Sequence, residues 1–170
     1  MTEIALDFEG ELGSNYLGMS DLGKYQFIVQ DVDVRDGEFR EVVKDGVTQT
    51  LPESMVVKLT VVAPEEKRGK MHTMYLPKSG RGAKQTLMFA IATGLTTLEK
   101  YEASTKAGAA SLQIPFEHAA GATMLAEVEK DSWNGQDRAK VKWKMFPVGD
   151  PRAKDFPIDR SLEDDDESLI

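Results

Sequence analysis

The dipeptide Asn134-Gly135 stands between two stretches with the composition of β-strands, and it constrains the fold more than any other feature of this 170-residue chain. A two-residue hairpin turn needs a positive φ at its central residues, which Asn and Gly tolerate best. The flanking stretches, 122–132 and 136–146, are rich in alternating apolar residues. The sequence therefore predicts an antiparallel hairpin here.

The second strand of this hairpin alternates cations with apolar residues. Successive side chains of a strand point to opposite faces, so the two kinds of residue should lie on different faces. We expect the apolar set to pack inside the fold and the cationic set to face outward. The apolar set is Ala139, Val141, Trp143 and Met145, and the cationic set is Arg138, Lys140, Lys142 and Lys144.

Three further strands precede the hairpin, and each is rich in β-branched or aromatic residues. They are predicted at 24–34, 54–63 and 71–76. After them the apolar residues Leu87, Ile91 and Leu95 recur at helical spacing, which predicts a helix from about Ala83. The polar stretch between the first two strands contains apolar residues that fit either a short helix or a strand.

The predicted order of three strands, a helix and two strands is that of a five-stranded Greek-key barrel of the OB type. The chain is thus expected to be mainly β with one or two helices, in the α+β class, with the helix between strands 3 and 4. A mixed α+β sheet would give a similar order. The barrel is predicted over 24–147, between a loose N-terminal arm, 1–23, and a flexible acidic tail, 148–170.

The charge of the chain is unevenly distributed along its length. The formal net charge is −8, yet residues 54–162 hold 17 basic and 12 acidic residues, and both ends are acidic. A net-basic segment between acidic ends says more about partners than the total charge does. We interpret this segment as the part of the chain that binds a polyanion.

Two basic segments, one around the third strand and one in the hairpin, are expected to converge on one groove that binds nucleic acid. Aromatic side chains would stack on the bases of a single strand, and Tyr75 and Trp133 are the candidates. The alternative is a solvated strand whose lysines discourage aggregation. The predicted nucleic-acid-binding residues are Lys67, Arg68, Lys70, Tyr75, Lys78, Arg81, Lys84, Trp133, Arg138, Lys140, Lys142 and Lys144.

The C-terminal stretch "EDDDESLI" combines a dense acidic block with two apolar end residues. Such an acidic block cannot pack and stays solvated. An apolar tip beside a free carboxylate is typical of a peptide that docks into a basic pocket of a partner. The predicted partner-binding residues are Glu163, Asp164, Asp165, Asp166, Glu167, Leu169 and Ile170.

With this tail, the predicted strand order and the start of the first strand at Gly23-Lys24-Tyr25, the chain resembles the bacterial and phage single-stranded-DNA-binding proteins. The resemblance implies an OB barrel that binds single-stranded DNA without catalysis, in DNA replication, recombination and repair. It also implies that the tail recruits replication and recombination proteins and competes with DNA for the basic groove.

Neither catalysis nor a metal or other cofactor is expected. The two histidines, His72 and His118, have no partner at metal-ligand spacing, and the chain contains no cysteine. A membrane-spanning run and a signal peptide are both missing from the sequence, so we expect an intracellular protein, and the resemblance implies the cytoplasm of a bacterial or phage-infected cell. The alternative function is a protein-interaction adaptor, or an inhibitor whose acidic ends mimic nucleic acid.

Overall fold

The computed structural model describes residues 15–44, 46–77, 83–108, 114–133 and 135–159. Two α-helices, α1 (Ala83–Ala92) and α2 (Leu98–Lys106), follow the third strand in the chain. The protein is mainly β with two helices, as the sequence predicts. The strands are β1 (Gly23–Lys44), β2 (Val47–Ala63), β3 (Met71–Leu76), β4 (Thr123–Trp133) and β5 (Gln136–Phe146).

The five strands form one antiparallel sheet in the order β3-β2-β1-β4-β5. The central strand is β1, which pairs with β2 on one side and with β4 on the other. β4 and β5 form the predicted hairpin, with Gly135 at a φ of 76° in its turn. Over the described residues the sheet is open, and its two edges are β3 and β5.

β1 and β2 pair with each other over a longer stretch than either of them pairs with its other neighbour in the sheet. β4 pairs with β1 only from Gly23 to Ile28, whereas the β1–β2 pairing runs on to Lys44 and Val47. The polar stretch that the sequence leaves undecided is therefore a strand ribbon. Gly46 lies in the turn of this ribbon with a φ of 77°, a backbone conformation that residues other than glycine rarely adopt.

The main core is formed by one face of the sheet together with α1. Phe27, Leu59 and Met124 come from three different strands and are fully buried, as is Phe89 of α1. Burying each side chain of this size stabilises the fold by about 1.5–3 kcal/mol. These contacts place α1 against β5 and β3, beside both open edges of the sheet.

A second cluster lies on the opposite face of the sheet. Leu125 follows the inward-facing Met124 in β4, so its side chain points to the other face. There it packs with Ala153 and Phe156. The predicted tail spans 148–170, but the part of it up to Asp159 packs on the sheet, and 160–170 lie outside the described residues.

Residues 15–22, which the sequence places in the N-terminal arm, contact the start of β3. The Leu17 N–H donates to the Met71 carbonyl at 2.9 Å, and the Met71 N–H donates to the Asn15 carbonyl at 2.6 Å. This part of the arm thus extends the edge of the sheet at β3. None of the helices in the described ranges has the length and apolarity needed to cross a membrane.

Candidate nucleic-acid interface

Side chains join the two edges of the sheet at one point, which we call the seam. The Val141 N–H of β5 donates to His72 Nε2 of β3 at 3.3 Å. The Gln85 side chain of α1 donates to the Val141 carbonyl at 3.1 Å. Both backbone groups of Val141 are therefore satisfied by side chains, where a closed barrel would use a strand ladder.

His72 at the seam must be neutral, because its Nε2 accepts a hydrogen bond. Burial, together with the nearby charges of Lys140 and Arg138, lowers the pKa of His72 from its usual 6.5 to about 4. The imidazole is consequently uncharged at neutral pH. Both cations lie close to the seam, since they line the same cleft as His72.

A cleft of about 250 Å³ opens beside the seam, between β3, α1 and β5. Tyr75, Arg138 and Lys140 line it. The Tyr75 side chain is 50% exposed, so one edge of the cleft is an accessible aromatic ring. The structure thereby brings together three predicted binding residues that come from two separate parts of the sequence.

Three of the predicted cations of β5, Arg138, Lys142 and Lys144, form ion pairs with acidic side chains of the neighbouring strand. The hairpin register places Asp131 opposite Arg138 and Glu129 opposite Lys140. A row of carboxylates on β4 therefore lies alongside the row of cations. The ion pairs are Arg138–Asp131 at 3.1 Å, Lys142–Asp131 at 3.5 Å, Lys144–Glu127 at 3.1 Å and Lys144–Glu129 at 3.2 Å.

This pairing changes the protonation equilibria of both rows. Burial alone would raise the pKa of Asp131, but the hydrogen bond from Arg138 and the charges of the neighbouring cations lower it overall. Hydrogen bonds to Glu127 and Glu129 raise the pKa of Lys144. The hairpin surface therefore presents cations and carboxylates side by side rather than a purely positive face.

Two cations of the turn before β3, Lys67 and Lys70, form ion pairs with a carboxylate that is buried. Lys67 Nζ lies 2.6 Å from Asp21, and Lys70 Nζ lies 3.5 Å from the same carboxylate, which is only 4% exposed. The hydrogen bond from Lys67 is the main cause of the lowered pKa of Asp21, and the Gly18 N–H adds to it. These two lysines neutralise a buried carboxylate, which is a structural role.

Arg68 also forms an ion pair within the protein. Its guanidinium contacts the carboxylate of Asp159, and its Nε donates to the Val62 carbonyl at 3.1 Å. The predicted cations of this turn, Lys67, Arg68 and Lys70, therefore hold the segments that flank the sheet. They do not line the cleft that Tyr75, Arg138 and Lys140 form.

The remaining predicted site residues lie at the start of α1, at the end of β4 or outside the described residues. Lys84 is exposed near the start of α1. Trp133 belongs to the backbone of β4, but its side chain is outside the description. The residues beyond the described ranges are Lys78, Arg81, Glu163, Asp164, Asp165, Asp166, Glu167, Leu169 and Ile170.

Trp143 is the residue whose predicted position is wrong. The alternation of β5 predicts a core position, but the side chain is 47% exposed, whereas Val141 and Met145 on either side are buried. The register explains the difference, because Ala126 pairs with Met145 and Val128 pairs with Val141. Three residues of β5 thus oppose one residue of β4, and this bulge interrupts the alternation.

No protein-family model matches the chain, and no curated protein does. Within the described residues, no group of three or more histidine or acidic side chains is arranged to hold a metal ion. The function is therefore inferred from the geometry of the cleft and from the distribution of charge around it.

Proposed function

We propose that the protein binds single-stranded DNA with little sequence preference, in DNA replication, recombination or repair, at the cleft between β3 and β5. The observation that carries this proposal is the half-exposed ring of Tyr75 beside Arg138 and Lys140. An aromatic ring stacks on any base, and cations next to it hold the phosphates. The protein acts by binding, without catalysis.

We also propose that the sheet is a barrel of the OB type that closes at the seam. The strand order β3-β2-β1-β4-β5 supports this, because it brings β3 and β5 to the two free edges. The bridges from His72 and Gln85 to Val141 support it further, since they join those edges. Barrels of this type commonly bind single strands.

The ion pairs of the hairpin determine how such binding would proceed. The Arg138 side chain is 47% exposed, and exposed ion pairs stabilise a fold by only about 0–1 kcal/mol. A phosphate can therefore replace Asp131 as the partner of Arg138 at little cost in stability. Since each incoming phosphate competes with a carboxylate, we expect a few phosphate contacts rather than a long basic track.

A binding titration with fluorescently labelled oligo-dT at several salt concentrations tests the proposal. The logarithm of the affinity should fall linearly with the logarithm of the salt concentration, with a slope of about −0.7 per phosphate. The variant Arg138→Gln/Lys140→Gln should bind at least about tenfold more weakly, with a shallower slope. Glutamine is the better choice because glutamate would face the β4 carboxylates and disturb the hairpin.

The matched control is Lys106→Gln, which removes an exposed cation at the end of α2 that does not line the cleft. It should bind as the unmodified protein does. Equal weakening in the control would mean that affinity follows overall charge and not the cleft. Failure of the unmodified protein to bind oligo-dT at low salt would overturn the proposal.

A second candidate function is a protein-interaction adaptor, or an inhibitor that uses its acidic ends as a nucleic-acid mimic. The pairing of the β5 cations with β4 carboxylates favours it, as does the net charge of −8. In both proposals the acidic tail recruits partner proteins. The titration separates them, because an adaptor or mimic would not bind oligo-dT at any salt concentration.

A further inference from the structure

The bulge in β5 presents Trp143 to solvent in a strand whose neighbouring apolar residues are buried. Val141 and Met145 are 0% and 3% exposed, whereas Trp143 is 47% exposed. Tryptophan has one of the largest apolar surfaces of any side chain, so keeping half of it in water is unfavourable. Bulges often re-aim a side chain next to a functional site.

The residues on either side of Trp143 in the chain are lysines, and both form ion pairs with carboxylates of β4. Lys142 Nζ lies 3.5 Å from Asp131, and Lys144 Nζ lies 3.1 Å from Glu127. Both ammonium groups already bind anionic oxygens in exposed or partly exposed positions. An exposed indole with a lysine on each side of it in the chain matches the chemistry of a nucleotide, which combines a flat base with a phosphate.

This position is continuous with the cleft along β5. The cleft is lined by 138–141 of this strand, and Trp143 follows two residues later. Two residues of chain span at most about 7 Å. A single strand held by Arg138 and Lys140 could therefore continue onto the Trp143 ring without leaving the surface of β5.

We propose that Trp143 is a base-stacking residue, and that the binding surface extends from the cleft along β5 to the bulge. This inference rests on the proposed function and assigns the ring on which a base stacks. The flanking Lys142 and Lys144 hold the adjoining phosphates by exchanging their β4 carboxylates for them. A peptide with apolar and acidic residues is the competing occupant.

The chain has two tryptophans, so each can be observed alone. In the variant Trp133→Phe, Trp143 is the only indole, and its fluorescence should be quenched when oligo-dT is added. In Trp143→Phe the response should be much smaller.

Separately, Trp143→Ala should weaken binding of labelled oligo-dT by about 5-fold to 100-fold, because one stacked base is lost. Trp143→Phe should restore part of that affinity.

The control is Tyr101→Ala, which removes another exposed aromatic ring, on α2, and should leave the affinity unchanged. Thermal unfolding of each variant shows whether it folds.

If the unmodified protein binds oligo-dT but Trp143→Ala binds equally well, the inference fails and the proposed function stands. If oligo-dT does not bind at all, the proposed function fails. If the Trp143 signal responds only to the peptide EDDDESLI, the site serves protein binding and the inference is overturned.

Discussion

Two groups of cations on this molecule hold carboxylates in different surroundings. In the turn before β3, Lys67 and Lys70 bind Asp21, which is almost fully buried. In the β4–β5 hairpin, Arg138 and Lys142 bind Asp131, whose side chain is 20% exposed and lies at the surface. In each group two basic side chains share one aspartate, and the difference lies in the access of water to the acid.

The exposure of the paired carboxylate decides which of these cations can bind a ligand. Removing a partner from a buried carboxylate leaves a charge in a medium that solvates it poorly, so such a pair is effectively permanent. An exposed pair contributes little and can exchange its anion for another. We therefore expect the turn cations to determine stability and the hairpin cations to determine binding.

The change with the largest expected effect is the protonation of His72 at the seam, beside the hairpin cations Arg138 and Lys140. Because folded His72 has a pKa of about 4 and the unfolded residue has its usual 6.5, the unfolded state binds more protons between these values. The free energy of unfolding should therefore fall as the pH is lowered from about 6.5 to about 4, by about 3 kcal/mol in total. Urea unfolding at a series of pH values measures it.

Two variants show where this dependence originates. His72→Gln can still accept a hydrogen bond from Val141 but does not titrate, so it should remove that contribution to the slope. Arg138→Gln/Lys140→Gln should raise the pKa of His72, measurable by NMR, because these charges help to lower it. A pKa that stays the same in this double variant would mean that the carboxylates cancel the field at the seam.

The hairpin and its ion pairs could largely be predicted from the sequence, but the seam could not. The dipeptide Asn134-Gly135 predicts the turn and with it the register. Counting outward from it places Asp131 opposite Arg138, so this ion pair could have been predicted from the acidic residues of β4. The bulge at Trp143 depends on how both strands pack over the core. The approach of His72 to Val141 joins residues 69 positions apart, which strand periodicity does not reveal.

The next effect in size concerns the buried acid of the turn. Asp21→Asn keeps an oxygen that can accept from the Gly18 N–H but removes the charge that Lys67 and Lys70 neutralise. The free energy of unfolding should fall by about 2 kcal/mol, the typical contribution of hydrogen bonds to a charged group. Urea unfolding at neutral pH measures the loss, and the affinity of the folded protein for oligo-dT should not change.

The acid dependence provides an independent measurement of the same pair. The pKa of Asp21 is lowered in the folded state, so its stabilising contribution is present above the usual value of 3.8 and is lost as the pH falls through the lower folded value. Asp21→Asn should remove this contribution. A variant that lost DNA affinity while keeping its stability would reverse the roles of the two cation groups.

The smallest expected effect is the most direct test of exchange in the hairpin. Asp131→Asn removes the carboxylate that binds both Arg138 and Lys142. Its free energy of unfolding should change by less than about 1 kcal/mol, because the pair is exposed. Its affinity for oligo-dT should rise by a few-fold, because a phosphate no longer competes with Asp131. Weaker binding would instead mean that Asp131 positions Arg138, and the carboxylate row would then be part of the binding surface rather than its competitor.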